Sequence, residues 1–132
     1  MHSVNEIIQS LGLNYTHDKV IAALSFGFWT SQFGKKEYAS AGSTLLAAFP
    51  SSIPGTHQKD IFKKMKSINQ IRNRIAHHEP ISFNTFGYIS PNYTLTRYNQ
   101  ILELFAWLGF NPHELLFGLD KVRKEIDFIN QL

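Results

Sequence analysis

The sequence contains no cysteine. That excludes a disulfide framework, a zinc finger or ribbon built on thiolates, and a thiol nucleophile. Long apolar runs are missing too. The longest low-charge stretch, Val20 to Gly34, carries Ser25, Thr30, Ser31 and Gln32 and is too short to span a bilayer. The first residues, Met1 followed by HSVNEIIQ, have neither the basic start nor the apolar run of a secretory signal. A cytoplasmic protein with no membrane partner is the expectation. No Walker pattern or dinucleotide fingerprint occurs, and Ser25 lies in SFGFW rather than in a G-x-S-x-G elbow. There is no internal repeat, no low-complexity tract and no convincing pair of strands.

What is present is a helical period. The 132 residues are 43% hydrophobic and 14% aromatic, enough for a single domain over 1–132 that buries roughly two-thirds of its unfolded surface. Ser3 can cap a first helix through Val4, Ile7, Ile8 and Leu11, closed by Gly12. Thr16 or Asp18 opens a second, reaching about Phe33, whose apolar residues wrap most of the circumference and predict a buried central helix. A third covers Tyr38 to Phe49 and stops at Pro50, followed by a loop to Thr56. The fourth runs from about Thr56 to His77 and ends ahead of Pro80. Ile81 to Tyr93 reads as a loop. A helix from Thr94 or Thr96 to Leu108 and a last one from Leu115 through Ile129, introduced by Asn111–Pro112, complete the chain. The class is all-α, a compact bundle of about five to six helices.

Charge is unevenly placed. Thirteen Lys and Arg against ten Asp and Glu give +3, and the segment Lys59 to Arg74 alone carries +5, leaving −2 for the remainder. Within it, residues advance about 100° each around a helix. Ile61, Met65, Ile68 and Ile75 form one apolar stripe, and Arg72 falls near its middle. Lys59, Lys63 and Lys66 lie on the opposite side, with Arg74 beyond them; these bases suit RNA, or simply a solvated face. An inward arginine needs partners. It either snorkels or pairs with Glu79, Glu103 or Glu114, or it points into a cleft where its planar fork holds a phosphate or carboxylate.

The run Ile71 to Ile81, IRNRIAHHEPI, places His77, His78 and Glu79 at the helix end. The negative end of a helix dipole favours a protonated imidazole, and a histidine that exchanges its proton near neutrality can act as base in one step and acid in the next. His77 lies about 140° from Arg72 on an ideal helix. Bringing them together takes an irregular last turn or a second chain.

The stretch RNRIAHHEP, with LSFGFW (Leu24 to Trp29) and AFP (Ala48 to Pro50) upstream, resembles the Abi-like family of bacterial abortive infection. That family is similar to the HEPN superfamily of helical bundles, marked by Arg, a polar residue and a His four to six residues beyond the Arg. The match covers roughly Leu24 to Ile81. The resemblance implies a ribonuclease that needs no metal or other cofactor, with a composite site between two protomers of a homodimer. It acts on RNA in phage defence or as a toxin, with an antitoxin as a further partner. Carried over, Arg72 is the motif arginine, Asn73 the polar residue and His77 the motif histidine, with His78 also satisfying the spacing. A helical module that binds RNA or protein without cleaving is the alternative.

Other candidates carry less. His77, His78 and Glu79 are adjacent, and neighbouring ligands rarely converge on one metal. His2, His17, His57 and His113 are isolated and suit capping or surface roles. Phe83, Phe86, Tyr88 and Tyr93 could stack on bases, but a loop packed on the bundle is the expectation.

Overall fold

Two long helices carry the fold in the computed structural model, which describes residues 4–132. In chain order the helices are α1 (Val4–Leu11), α2 (His17–Ala23), α3 (Phe26–Gln32), α4 (Lys35–Ser40), α5 (Gln58–Ala76), α6 (Asn92–Trp107), α7 (Pro112–Leu115) and α8 (Val122–Ile129). Short 3-10 turns occupy Gly12–Asn14 and Leu45–Ala48. The all-α bundle expected from the sequence forms, with eight α-helices among the described residues. Where the capping chemistry was legible, it holds. Thr16 Oγ1 accepts from the Lys19 amide at 3.2 Å, and Asn111 Oδ1 accepts from the His113 amide at 3.1 Å. Ser3, the expected cap of α1, and His2 lie outside the described residues.

Three expected helices are broken, each by a local device. Between α2 and α3, Leu24 is extended (φ −68°, ψ 133°), and Ser25 Oγ restarts the helix by accepting from the Phe28 amide at 3.2 Å. The segment is not a buried central helix, because Ile21, Phe26 and Trp29 are exposed. The helix expected over Tyr38 to Phe49 begins earlier, at Lys35, and stops where Gly42 and Ser43 take φ of 72° and 60°. The last one is split by Gly118 (φ 75°), and Asp120 Oδ1 restarts it by accepting from the Val122 amide at 3.1 Å. Helix α6 starts at Asn92 rather than Thr94 or Thr96, since the Thr94 hydroxyl donates to the Ile81 carbonyl at 2.7 Å.

Helix α5 packs against α3 on one side and α6 on the other. At their junction Ile61 is completely buried among Phe33, Phe49, Met65, Leu104 and Trp107. The Gln58 amide donates to the Phe33 carbonyl and fixes α5 to the end of α3. Lys64 Nζ pairs with Glu103 Oε2 at 2.5 Å and sits 5.0 Å from the Trp107 ring centre, joining α5 to α6. The buried Tyr98 hydroxyl donates to Asp120, tying α6 to the segment ahead of α8. Among the described residues no helix is long and apolar enough to cross a membrane.

The cover is incomplete. The chain exposes 9517 Å², whereas a folded monomer of 15.1 kDa exposes about 7,100 Å². Part of the difference is an open apolar groove of about 230 Å³ between α3, α5 and α6, lined by residues that include Phe26, Met65, Ile68, Ile101 and Phe105.

Candidate functional site

Helix α5 carries the candidate residues, and its burial turns along its length. Ile61 and Met65 are buried near the start of the apolar stripe, but farther along the buried residue is Ile71, about 80° away around the helix. Helix α5 is contacted by both α3 and α6, and in its second half the buried residue lies on the Ile71 side. Arg72 is therefore exposed and not inward-facing as its place on the stripe suggested. Ile75 beside it is 55% exposed. Of the carboxylates considered as internal partners, Glu103 pairs with Lys64 and Glu79 with Arg74. Arg72 Nη1 donates to Asn73 Oδ1 at 3.1 Å. Ile68, which lines the groove, then Arg72 and Ile75 follow one another along this line, increasingly exposed.

The end of α5 is a Schellman turn. The Glu79 amide donates to the Arg74 carbonyl at 2.8 Å and the His78 amide to the Ile75 carbonyl at 3.1 Å. His77 is the C-cap, and His78 takes the left-handed position that glycine usually fills, with φ 56°. The contact that normally closes this motif is apolar; here it is ionic, with Arg74 Nε 3.3 Å from Glu79 Oε2. Arg74 Nη2 also donates to the Pro80 carbonyl, and its guanidinium lies 5.2 Å from the Tyr93 ring centre. Arg97 stacks on the same ring at 5.0 Å. Arg74, expected among the RNA-binding bases, is thus half-buried and holds the turn together. Both histidines are exposed.

Lys59, Lys63 and Lys66 are exposed, as a solvated or RNA-facing ridge requires. By the helical count His77 falls on the same line as these lysines, with Asn73 close to it. Arg72 and His77 therefore leave α5 in nearly opposite directions, and the turn does not reunite them within one chain.

Beyond Pro80 the sequence expectation fails in an informative way. The tip of the loop is not packed, with Phe83 48% exposed, Phe86 83% and Tyr88 71%, while Tyr93 at its end is half-buried as expected. It is nonetheless ordered by its own hydrogen bonds. Asn84 Oδ1 accepts from the Phe86 and Tyr88 amides at 2.9 and 3.0 Å, and the Asn84 amide donates to the Tyr88 carbonyl at 2.9 Å. Gly87 has φ 81°, and Phe83 pairs with Ile89 as an antiparallel bridge. The Asn84-x-x-Gly87 spacing is the sequence signal that could have identified this tight turn.

Among the described residues His17 and His57, two of the isolated histidines, take local roles. The His57 amide at the start of α5 donates to Asp60 Oδ2 at 2.9 Å, and the His17 ring meets Tyr15 edge-on at 5.7 Å. Among the described residues no group of three or more His, Asp or Glu is placed to share a metal ion. No protein-family model, curated protein or solved structure matches the chain.

Proposed function

We propose that this chain is a HEPN-type endoribonuclease of the Abi-like kind, working in the cytoplasm as a homodimer whose facing α5 helices complete the site. The observation that carries the reading is the end of α5. A well-bonded turn presents His77 and His78 to solvent, while Arg72 stands on the uncovered stripe beside Ile75.

RNA carries its own nucleophile. A base removes the proton of a 2′-hydroxyl, whose oxygen attacks the adjacent phosphorus. The bond to the 5′-oxygen breaks, an acid returns a proton to that oxygen, and a 2′,3′-cyclic phosphate remains. Histidine fills both proton-transfer roles, and an arginine stabilises the charge on the equatorial oxygens. His77 is assigned the proton transfers, with His78 as backup or orienter, Arg72 the phosphate, and Asn73 the positioning of Arg72 by the bond already described. Since Arg72 and His77 diverge on one helix, the mechanism requires a second copy, and a two-fold axis supplies each group twice. The surface supports one: the excess of roughly 2,400 Å² exceeds the ~800 Å² per partner of an ordinary interface.

The competing reading is a helical RNA- or protein-binding module, favoured by the separation of Arg72 from His77 within the chain. Incubation with single-stranded RNA in EDTA separates the two. Cleavage by the wild type that is lost in both Arg72→Ala and His77→Ala establishes the enzyme. Intact RNA at high protein concentration refutes it. Ile75→Glu should shift the dimer to monomer in sedimentation velocity and abolish cleavage with it. A toxin role, with an antitoxin as partner, predicts slowed growth on expression that His77→Ala relieves.

A further inference from the structure

The ordered loop after Pro80 has no part in the chemistry just described, yet it holds exposed aromatic rings on a stiff support. We propose that Phe86 and Tyr88 are a stacking platform for unpaired bases, and that this loop selects a single-stranded RNA segment next to the cleavage site. The inference rests on the ribonuclease reading for its ligand.

Rings exposed at 83% and 71% leave much apolar surface in water, and the loop does not collapse to hide it. Its internal bonds from Asn84, the Phe83–Ile89 bridge and the 2.7 Å bond from the Ser90 amide to the Ser82 carbonyl fix the tip before any ligand arrives. Little ordering then remains to oppose binding. The base of the loop is anchored where it matters. At one end Arg74 holds the Pro80 carbonyl, and at the other Tyr93 stacks on the same Arg74. The platform and the His77–Glu79 turn therefore share one foundation. Phe86 follows His77 by nine residues, so their α-carbons are within about 32 Å, a span that several nucleotides cover.

The chemistry of the segment fits bases better than a protein partner. From Pro80 to Thr96 there is no Asp, Glu, Lys, Arg or His; the rings alternate with Asn, Thr, Gly and Ser. On the line of α5 that ends at His77, just ahead of the loop in the chain, Lys59, Lys63 and Lys66 are exposed. Neutral aromatic faces next to a row of cations match a strand with stackable bases on one side and phosphates on the other. A duplex hides its base faces and gains nothing from such a platform.

The test uses the full chain carrying His77→Ala, so that RNA stays intact. Binding to a fluorescein-labelled 12-nucleotide RNA and to the same strand annealed to its complement is read by anisotropy. We expect tighter binding of the single strand. Phe86→Ala and Tyr88→Ala should each weaken it by about 5-fold to 150-fold, with the duplex affinity unchanged, and Phe86→Trp should restore it. On the otherwise wild-type chain, Phe86→Ala should raise KM for the same RNA and leave kcat largely intact. Equal loss of single-strand and duplex affinity, or no loss, overturns the proposal. So does a change of sedimentation coefficient in Phe86→Ala or Tyr88→Ala, which marks the rings as a protein contact. The two readings fail separately: selective binding without cleavage refutes the nuclease and keeps the platform, whereas cleavage indifferent to both rings does the reverse.

Discussion

Replacing His78 with glycine probes both the stability of the turn and the assignment of the catalytic histidine. His78 sits at φ 56°, a conformation that costs a residue with a Cβ about 1–2 kcal/mol relative to the right-handed region. Glycine removes that cost but enlarges the unfolded ensemble, which takes back about 0.5–1 kcal/mol. The two backbone bonds of the turn, from His78 to Ile75 and from Glu79 to Arg74, involve no side chain of residue 78 and survive the change. The His78 ring is exposed, so little packing is lost. The balance is a gain of about 0.5–1 kcal/mol, or roughly 2–4 °C in Tm for a chain of this length. Thermal unfolding followed by circular dichroism at fixed protein concentration reads it. If His77 carries the proton transfers, His78→Gly keeps most of its cleavage activity while His77→Ala loses it. A His78→Gly protein destabilised by more than about 1 kcal/mol would refute the strain argument and show that the imidazole makes a stabilising contact.

Ile61→Ala, at the completely buried centre of the core, should cost about 2–5 kcal/mol, whereas Ile53→Ala on the exposed loop should stay within about 0.5 kcal/mol; urea unfolding distinguishes them. The Tyr98–Asp120 hydrogen bond predicts a pH dependence at both extremes. The Tyr98 hydroxyl holds the Asp120 carboxyl below its ordinary range, so this contribution is present above the unfolded carboxylate value and is lost as pH falls through the lowered one. Hydrogen bonding to Asp120, reinforced by burial, raises Tyr98, so its contribution is complete below the unfolded phenol value near pH 10 and is lost as pH rises through the raised one. Tyr98→Phe should flatten both limbs of a stability–pH curve, and unchanged limbs would contradict the pairing. Arg74→Gln removes the Glu79 contact, the Pro80 bond and the stack on Tyr93, and should speed amide exchange at His78 and Glu79 while leaving Ile61 protected.

Helix ends marked by a cap of their own are legible in the sequence. Thr16, Asn111–Pro112 and the stop before Pro80 act through side chains or ring constraints that sit in the sequence beside the element they bound. The break at Leu24–Ser25 was hidden because the apolar period continues across it, and a serine inside such a run looks like an ordinary helix residue until its hydroxyl is seen to take the Phe28 amide. The break at Gly42–Ser43 was hidden for a related reason, since one glycine in a helical pattern is tolerated while two consecutive left-handed residues are not. At the site, the residues were legible and their directions were not. The stripe through Arg72 follows from periodicity, but whether a stripe is covered depends on which helices arrive from elsewhere in the chain. Here Arg72 and Ile75 are left exposed. The aromatic loop was misjudged on the same ground, because the tendency of aromatics to be buried is an average, and the bonds from Asn84 override it locally.

The neutrality of the segment from Pro80 to Thr96 has a consequence for ionic strength. Contacts from Lys59, Lys63 and Lys66 to a single strand release counterions, so three of them give a slope of about −2.1 in log affinity against log salt, and each doubling of salt weakens binding about fourfold. Stacking on Phe86 and Tyr88 releases none. As salt rises, the part of the affinity shared by every polyanion fades, and the part that distinguishes unpaired bases from paired ones remains. Discrimination between strand types should therefore sharpen in the conditions where total affinity is lowest.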